Sequence, residues 1–574
     1  MRHSGDDPGA HRRESDDGTE WIRAPVPEEA GKLSREGVGP RLAALLSRRG
    51  VRNLDEVEAF LRPDLEALHP PEALTDLEEG LILLQRARTG ERPVFVLGDY
   101  DVDGVSAAAI LTGALRYGGV QVETVIPHRI REGYGLRPSH VERAIRAGAD
   151  SLVTVDCGTN AGAALEAAHE AGLPVLVIDH HLPAGPTPPP STVIVNPKRE
   201  ACDYPFRDLC AAGLALKVAQ AFGRRTGRVI PLEALLRIAC LGTIADRVPL
   251  RGENRIIASR GLESLARTRS RGLRTLFGSA GLRQPFQADD VGFRIGPRLN
   301  AAGRMGSGEL ALELLLTRDP GRATGIVEHL EELNQRRKRE ESRVVREATE
   351  ILPTREEGRP SILVGWSEGW HRGVVGVAAS RLARKFHRPT VLFAVEDDEA
   401  TGSGRSVPGI HLHRFLLPWR DEYLRFGGHA GAVGLTVPSK DLEGLSSAWK
   451  DAAEAWDQAR LAPRREYELE LPPGDCDLDL WEELETLEPH GEGNPRPLLR
   501  VGPLRLAGEP RSFGSGHLRG EARGPAGHRV RFLGWRWAER IERLTGTFEV
   551  LAHLRRDRLY GTLELHLVEA RSLE

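Results

Sequence analysis

Four short apolar runs punctuate the first third of the chain: Val94-Phe-Val-Leu97, Val122-Glu-Thr-Val-Ile126, Leu152-Val-Thr-Val155 and Val175-Leu-Val-Ile178. Short runs rich in β-branched side chains are the pattern of strands buried on both faces. Alanine-rich stretches with helical spacing separate them, over Val105 to Tyr117, Ser139 to Ala147 and Ala161 to Ala171. This alternation predicts an α/β unit built on a doubly wound parallel sheet. Upstream, Leu42, Leu45, Leu46, Val57, Phe60 and Leu61 predict short helices between Arg41 and Leu61, while Trp21 and Leu65 to Pro71 read as packing and turn material. Met1 to about Glu20 are too polar to bury surface and are expected as a disordered tail.

Farther on, Ile326, Leu330, Leu333, Val344, Val345, Ala348 and Ile351 recur near helical spacing around a basic block, Arg336-Arg-Lys-Arg339. They predict one helix over about Gly321 to Leu352 bridging two lobes, its charges a solvated face. A second α/β unit begins at Ser361-Ile-Leu-Val364, with a helix over Gly373 to Lys385 and a strand over Thr390 to Ala394. It reaches Gly402-Ser-Gly-Arg-Ser406 and a glycine-rich turn, Phe426 to Gly434. After Ala462 to Arg465, the runs Arg529 to Leu533, Thr547 to Ala552 and Leu559 to Val568 predict short antiparallel strands of a small oligonucleotide-binding type of barrel. The expected organisation is a tail over 1–20, a first lobe with its helical preamble over 21–320, a connecting helix over 321–352, a second lobe over 353–462 and a barrel over 463–574.

The 574 residues leave room for such an arrangement, since domains run on the order of 100–200 residues. With 79 basic and 83 acidic residues the formal net charge is -4, so any polyanion must be held by a local patch. Arg511, Phe513, Arg529, Arg531, Phe532, Trp535 and Trp537 intermix in the barrel segment, as a single-strand groove with stacking platforms requires. An ordinary barrel core with surface arginines has the same composition. Cys157, Cys202, Cys210, Cys240 and Cys476 show neither Cys-x-x-Cys pairing nor zinc-like spacing, and a reducing cytoplasm is the expected setting. No apolar run approaches the roughly 18 residues of a membrane span, and no signal-peptide core is present, so no membrane partner is expected.

Acidic residues follow the buried segments. Asp179-His180-His181 closes the fourth run; Asp99, Asp101 and Asp103 follow the first; Asp156 follows the third; and Asp246 follows the apolar helix Leu235 to Leu241. Solvated turn acids are one reading, with Asp103 as a helix N-cap. The acid spacing of a calcium loop is also present, but the later bidentate Glu is not. Four such clusters favour a two-metal site of oxygen and imidazole donors over four independent turns. Gly296 to Arg304 reads as a loop able to hold phosphate through Arg298 and Arg304, or as a plain surface loop. His429, inside its glycine-rich turn, is hard to explain as core filling.

Taken together, Gly98-Asp-Tyr-Asp-Val-Asp-Gly104, Ile126-Pro-His-Arg129 with Glu132-Gly-Tyr-Gly-Leu136, Val153 to Gly158, Asp179-His-His181, Gly242 to Asp246, Gly296 to Arg304, Trp370 to Gly376, Gly427-Gly-His429 and Leu487 to Pro495 resemble the DHH phosphoesterase superfamily. Within it, they are most similar to the bacterial single-stranded-DNA exonucleases. The resemblance covers the chain from about Trp21 onward. It implies a DHH lobe, a DHH-associated lobe and an OB-fold barrel. It further implies that Asp101, Asp103, Asp156, His180 and Asp246 ligate two manganese or magnesium ions, with Asp156 bridging. His181 would face the phosphate and Asp179 would orient an imidazole. Small superfamily members carry a His four residues before the first metal Asp; here that position is Leu97, with Asp99 nearby as a substitute ligand. Arg129, Ser403, Arg405 and His429, with Asn300 and Arg304, are implied in substrate binding. The implied activity is 5′-to-3′ hydrolysis of single-stranded DNA in recombination and repair by a cytoplasmic monomer, with a single-strand-binding protein and a helicase as partners. Two other readings share parts of this pattern: an oligoribonuclease or cyclic-dinucleotide phosphodiesterase, and a non-catalytic DNA-binding replication factor.

Overall fold

The first strand, β1 (Glu20–Arg23), runs parallel to residues 464–467, just ahead of the barrel. Trp21 is buried there beneath the Arg571 guanidinium, 4.3 Å from its ring centre. The tail expected over 1–20 is therefore too long: Glu20 is already paired to Arg464. The computed structural model describes residues 19–185, 187–353 and 359–573, so the remainder of that expected tail lies outside the described residues.

In the first lobe, β2 (Val94–Gly98), β3 (Val122–Val125), β4 (Ser151–Val155), β5 (Val175–Ile178) and β6 (Thr192–Val195) form one parallel sheet in the order β3-β2-β4-β5-β6. Successive side chains point to opposite faces. Val94 and Val96 pack against the helices Val102–Tyr117 and Ala211–Thr226, while Phe95 and Leu97 pack against Pro138–Arg146 and Gly162–Glu170. Helices thus cover both faces, as a parallel sheet requires. The order reverses between β2 and β4, and ligands bind outside the carboxyl ends of the strands at such a switch point.

The helix Pro320–Ile351 joins the lobes as expected. Its first half buries Ala323, Ile326 and Leu330 in the first core, and its second half buries Val344, Val345 and Ala348 in the next. The second lobe is a mixed sheet of β7 (Leu363–Ser367), β8 (Thr390–Glu396), β9 (Glu399–Arg405), β10 (Arg425–His429) and β11 (Ala432–Pro438), in the order β10-β11-β9-β8-β7. The glycine-rich stretch expected as a turn is instead the hairpin β10-β11. Gly428, at φ +141°, lies so close to β11 that a Cβ would fall 2.3 Å from the Ala432 carbonyl oxygen, a position only glycine tolerates.

Beyond β12 (Arg464–Tyr467) and β13 (Leu469–Leu471), the strands β14 (Leu499–Leu506), β15 (Arg511–Phe513), β16 (His517–Arg523), β17 (Arg529–Gly534), β18 (Phe548–Arg556) and β19 (Leu563–Ser572) build the barrel. The order β14-β18-β19-β17-β16 closes through pairing of β16 with β14. The preamble helices Pro40–Arg48 and Leu54–Leu61, expected with the first lobe, bury Leu45, Leu46, Val57 and Phe60 in the barrel's own core. Arg49 fastens them, reaching Asn494 Oδ1 at 2.6 Å and Glu468 Oε1 at 2.8 Å.

Candidate active site

The switch point between β2 and β4 carries the chemistry. Past β2, Asp101 caps the helix Val102–Tyr117, its Oδ1 accepting from the Asp103 and Gly104 amides at 2.9 and 3.1 Å. The cap expected at Asp103 is therefore two residues earlier. Asp103 sits inside the first turn and accepts from the Ala211 and Ala212 amides at 2.7 and 2.9 Å, at the positive end of a second helix. Two glycines make this crowding possible. A Cβ on Gly104 would meet the Asp99 carbonyl oxygen at 2.6 Å, and one on Gly242 would meet Asp103 Oδ1 at the same distance. Gly242 thereby lets the helix Leu232–Ala245 bring Asp246 in at its end.

Asp156 follows β4 at φ +64°, in the left-handed region that Asp tolerates better than most residues. After β5, Asp179 accepts from the His180, His181 and Thr159 amides and from His181 Nδ1 at 2.7 Å. It orients His181, the second of the two imidazoles. His180 is buried and turns Nε2 toward Asp156 Oδ1 at 3.2 Å and toward Asp103 Oδ2 and Asp246 Oδ2 at 3.8 Å each. Ligand atoms of Asp156, His180 and His181, of Asp103, His180 and Asp246, and of Asp99, Asp101 and Asp156 lie within 4.8 Å of one another inside each trio. The structure thus brings together all seven of these acidic and imidazole residues.

Burial and mutual repulsion dominate their electrostatics. Asp99 and Asp156 are pushed well above the carboxylate range by burial and by their acidic neighbours. Asp103 is raised to about 6 and Asp246 to about 7 for the same reasons. Burial lowers the His180 pKa, so its ring is held neutral and able to ligate. Burial would also raise Asp179, but the His181 hydrogen bond and charge outweigh it and lower its pKa.

A cavity of about 310 Å³ opens in front of these carboxylates and is also lined by Arg129, Tyr134, Asn300 and Arg304. The segment expected as a phosphate loop is the helix Gly296–Met305, with Pro297 in its first turn. Its Gly303 lies where a Cβ would meet the Tyr100 carbonyl oxygen at 2.5 Å. This contact brings Asn300 Oδ1 to the Val102 amide at 3.2 Å. Arg298 turns away from the cavity to Glu331. Burial pulls the Arg304 pKa down to about 9, and the fields of Arg129, Arg337 and Arg405 add to the effect. Arg337, read from sequence as part of a solvated face, is instead largely buried and paired with Glu341 at 2.8 Å.

From the second lobe, Arg405 Nη1 donates to Ser403 Oγ at 2.8 Å. A Cβ on Gly376 would come within 2.9 Å of that same oxygen, so a side chain there would push the Ser403 hydroxyl aside. His429 stands exposed on the hairpin, and the Arg405 field helps lower its pKa after burial. Sequence reasoning assigned no role to Tyr134, although two positive-φ glycines, Gly133 and Gly135, flank it and mark a projecting position. In the barrel, Phe532 and Trp537 are core rather than stacking platforms, at 3% exposure each. Phe513 and Trp535 are exposed, with the His517 ring 5.3 and 4.8 Å from theirs; Arg511, Arg529 and Arg531 are exposed as well, the latter two paired with Glu521.

Comparison with known proteins agrees with this layout. Residues 93–243 match the DHH family, N-terminal domain, residues 359–455 the DHHA1 domain and residues 467–568 the RecJ OB domain. The single-stranded-DNA-specific exonuclease RecJ of Escherichia coli (strain K12) is 34% identical over 84% of this chain and 87% of its own length. That of Bacillus subtilis (strain 168) is 34% identical over 84% of this chain, which spans 61% of that longer relative. The crystal structure of RecJ in complex with Mn2+ from Thermus thermophilus superposes with a TM-score of 0.82 at 31% identity, covering 97% of this chain and 80% of that one. The chain belongs to the RecJ family of single-stranded-DNA-specific exonucleases, within the DHH superfamily of metal-dependent phosphoesterases.

Proposed function

We propose that this protein hydrolyses single-stranded DNA one nucleotide at a time from the 5′ end, with Asp101, Asp103, Asp156, His180 and Asp246 as ligands of two manganese or magnesium ions and Asp99 as an auxiliary ligand. The observation that carries this reading is the convergence of these donors, drawn from residues 99 to 246, into three overlapping trios at the switch point, with Asp99, Asp101, Asp103 and Asp246 lining the cavity there. The donor set fits such ions. It consists of carboxylate oxygens and imidazole without thiolate, the preference of hard divalent cations. Among the described residues no Lys or Arg forms an ion pair with these carboxylates. When bound, the ions supply an acidified water and offset negative charge at phosphorus.

The chain's own groups do the rest. Asp179 fixes the His181 ring so that it faces a phosphate oxygen. Arg129 and Arg304 hold the strand beside the carboxylates, and Asn300 pins the turn that carries Asp101. Ser403 and Arg405 hold the 5′ phosphate, with His429 at the rim. Phe513 and Trp535 offer stacking faces to the trailing strand. The closed barrel favours this reading over a small oligoribonuclease or cyclic-dinucleotide phosphodiesterase, and the complete donor set favours it over a silent DNA-binding factor. Among the described residues no helix is long and apolar enough to cross a membrane. Action in the cytoplasm as a monomer, on strands opened by a helicase and coated by a single-strand-binding protein, completes the proposal.

Digestion of single-stranded DNA labelled at one end or the other, with and without Mn2+, tests the reading. The 5′ label should be released first and only with metal. Release of the 3′ label first overturns the polarity, and activity confined to very short RNA points to the small phosphodiesterases. Arg405→Ala should raise KM for 5′-phosphorylated DNA by about 10- to 100-fold, the worth of a charge-assisted hydrogen bond. Its effect on 5′-hydroxyl DNA should be small, and an equal effect on both substrates would remove Arg405 from the 5′-phosphate site.

A further inference from the structure

We propose that Tyr134 is a positioning residue for the hydrolysis, its hydroxyl bracing the His181 ring that Asp179 orients. This rests on the reading above, in which His181 faces the phosphate. Asp179 Oδ1 lies 2.7 Å from Nδ1, which leaves Nε2 as the nitrogen that can face the phosphate. The Tyr134 hydroxyl lies 3.1 Å from Nε2 and 3.3 Å from Nδ1, against the ring rather than in line with one nitrogen, and it donates to the Asp156 carbonyl oxygen at 3.4 Å. One phenol therefore ties the ring to the backbone of Asp156, one of the proposed metal ligands. Asp179, His181, Tyr134 and the Asp156 carbonyl are thus in contact across the carboxyl ends of β4 and β5.

The loop bearing Tyr134 is built to hold it there. Glu132 accepts from the His128 amide and sits 3.4 Å from His140 Nε2, bracketing the loop at both ends. Gly133 and Gly135 then turn the chain through φ +77° and +82°, which a Cβ at either position would strain. The rings of Tyr134 and His181 meet edge-on at 5.8 Å, and the Tyr134 side chain is half exposed on the cavity wall. A half-exposed ring so close to the carboxylates contributes little to the core, so its placement points to the site.

The test compares wild type, Tyr134→Phe, His181→Ala and the double variant in steady-state cleavage of 5′-phosphorylated single-stranded DNA with Mn2+. Phenylalanine keeps the ring and its exposure, so folding is preserved, as thermal melting would verify. Tyr134→Phe should lower kcat about tenfold with KM within about twofold, the pattern of an interaction that matters in the transition state. In the His181→Ala background, with excess enzyme, the same change should have no further effect, because its target is gone. A wild-type kcat for Tyr134→Phe, a change confined to KM, or an equal loss in the His181→Ala background each overturns the positioning role. Failure of the wild-type protein to cleave would instead sink the nuclease reading itself.

Discussion

Asp156→Asn is expected to lower single-stranded-DNA cleavage by about three orders of magnitude, roughly 4 kcal/mol of barrier, while DNA binding stays within about twofold. Asp156 belongs to two of the three donor trios and faces His180 at 3.2 Å, so losing its charge disturbs the whole cluster. Asparagine suits the site sterically. It fills nearly the same volume and adopts the left-handed backbone found at φ +64° as readily as Asp does. It also removes one buried carboxylate from a group that repels itself, so the metal-free variant should melt at or above the wild-type temperature. Cleavage, Mn2+ titration calorimetry and strand-binding anisotropy on the same preparation separate these effects. His180→Ala should match it, losing turnover and keeping its fold. Near-normal cleavage by both variants would take this cluster out of the reaction.

How much of this could be read from the sequence depends on the range of the interaction concerned. The strands β2, β4 and β5 declared themselves because every position in each is buried, which leaves an unbroken apolar run. By contrast β6, four residues with two of them half-buried behind a Pro-rich stretch, left no such run. The glycines of Gly296–Met305 mimicked a loop. Gly303 is there for contact with Tyr100, in a distant part of the chain, and Pro297 fits a first helical turn that lacks amide partners anyway.

Spacing alone could not say which of Asp101 and Asp103 caps the helix, since a two-residue shift of the helix start moves the cap from one to the other. The barrel aromatics were a missed period. Along β17, Val530 and Phe532 are buried while Arg529 and Arg531 are exposed, an alternation that places Phe532 inside. Tyr134 and the preamble were different. Their partners lie 47 and 445 residues away, at His181 and Asn494, and no local pattern encodes such pairings.

The same long-range pairing predicts the largest effect on stability, at Arg255. This side chain is 2% exposed, on the helix Gly252–Ala266. Its guanidinium donates to the carbonyl oxygens of Phe60 at 2.6 Å, Leu487 at 3.1 Å and Glu488 at 2.7 Å, and it stacks 3.7 Å from the Phe60 ring centre. Burial pulls its pKa down to about 9, with the Glu488 charge partly offsetting that. One residue therefore joins the first lobe, the preamble and the segment that enters the barrel. Arg255→Met keeps the apolar stem but takes the donor from the Phe60 and Glu488 carbonyls, while Leu487 keeps the Asn494 amide at 2.7 Å, and should cost about 3–5 kcal/mol. Lysine should recover little, because a point charge cannot serve three acceptors in a plane. Urea unfolding should then split into separate transitions for the barrel and the first lobe. The donors at residues 99 to 246 lie outside this junction, so the variant should still cleave short oligonucleotides while its affinity for long strands falls. If stability and long-strand affinity both stay at wild-type levels, the barrel is held by its other contacts, such as Arg558 on Asp290 at 3.0 Å, and Arg255 is not the fastening.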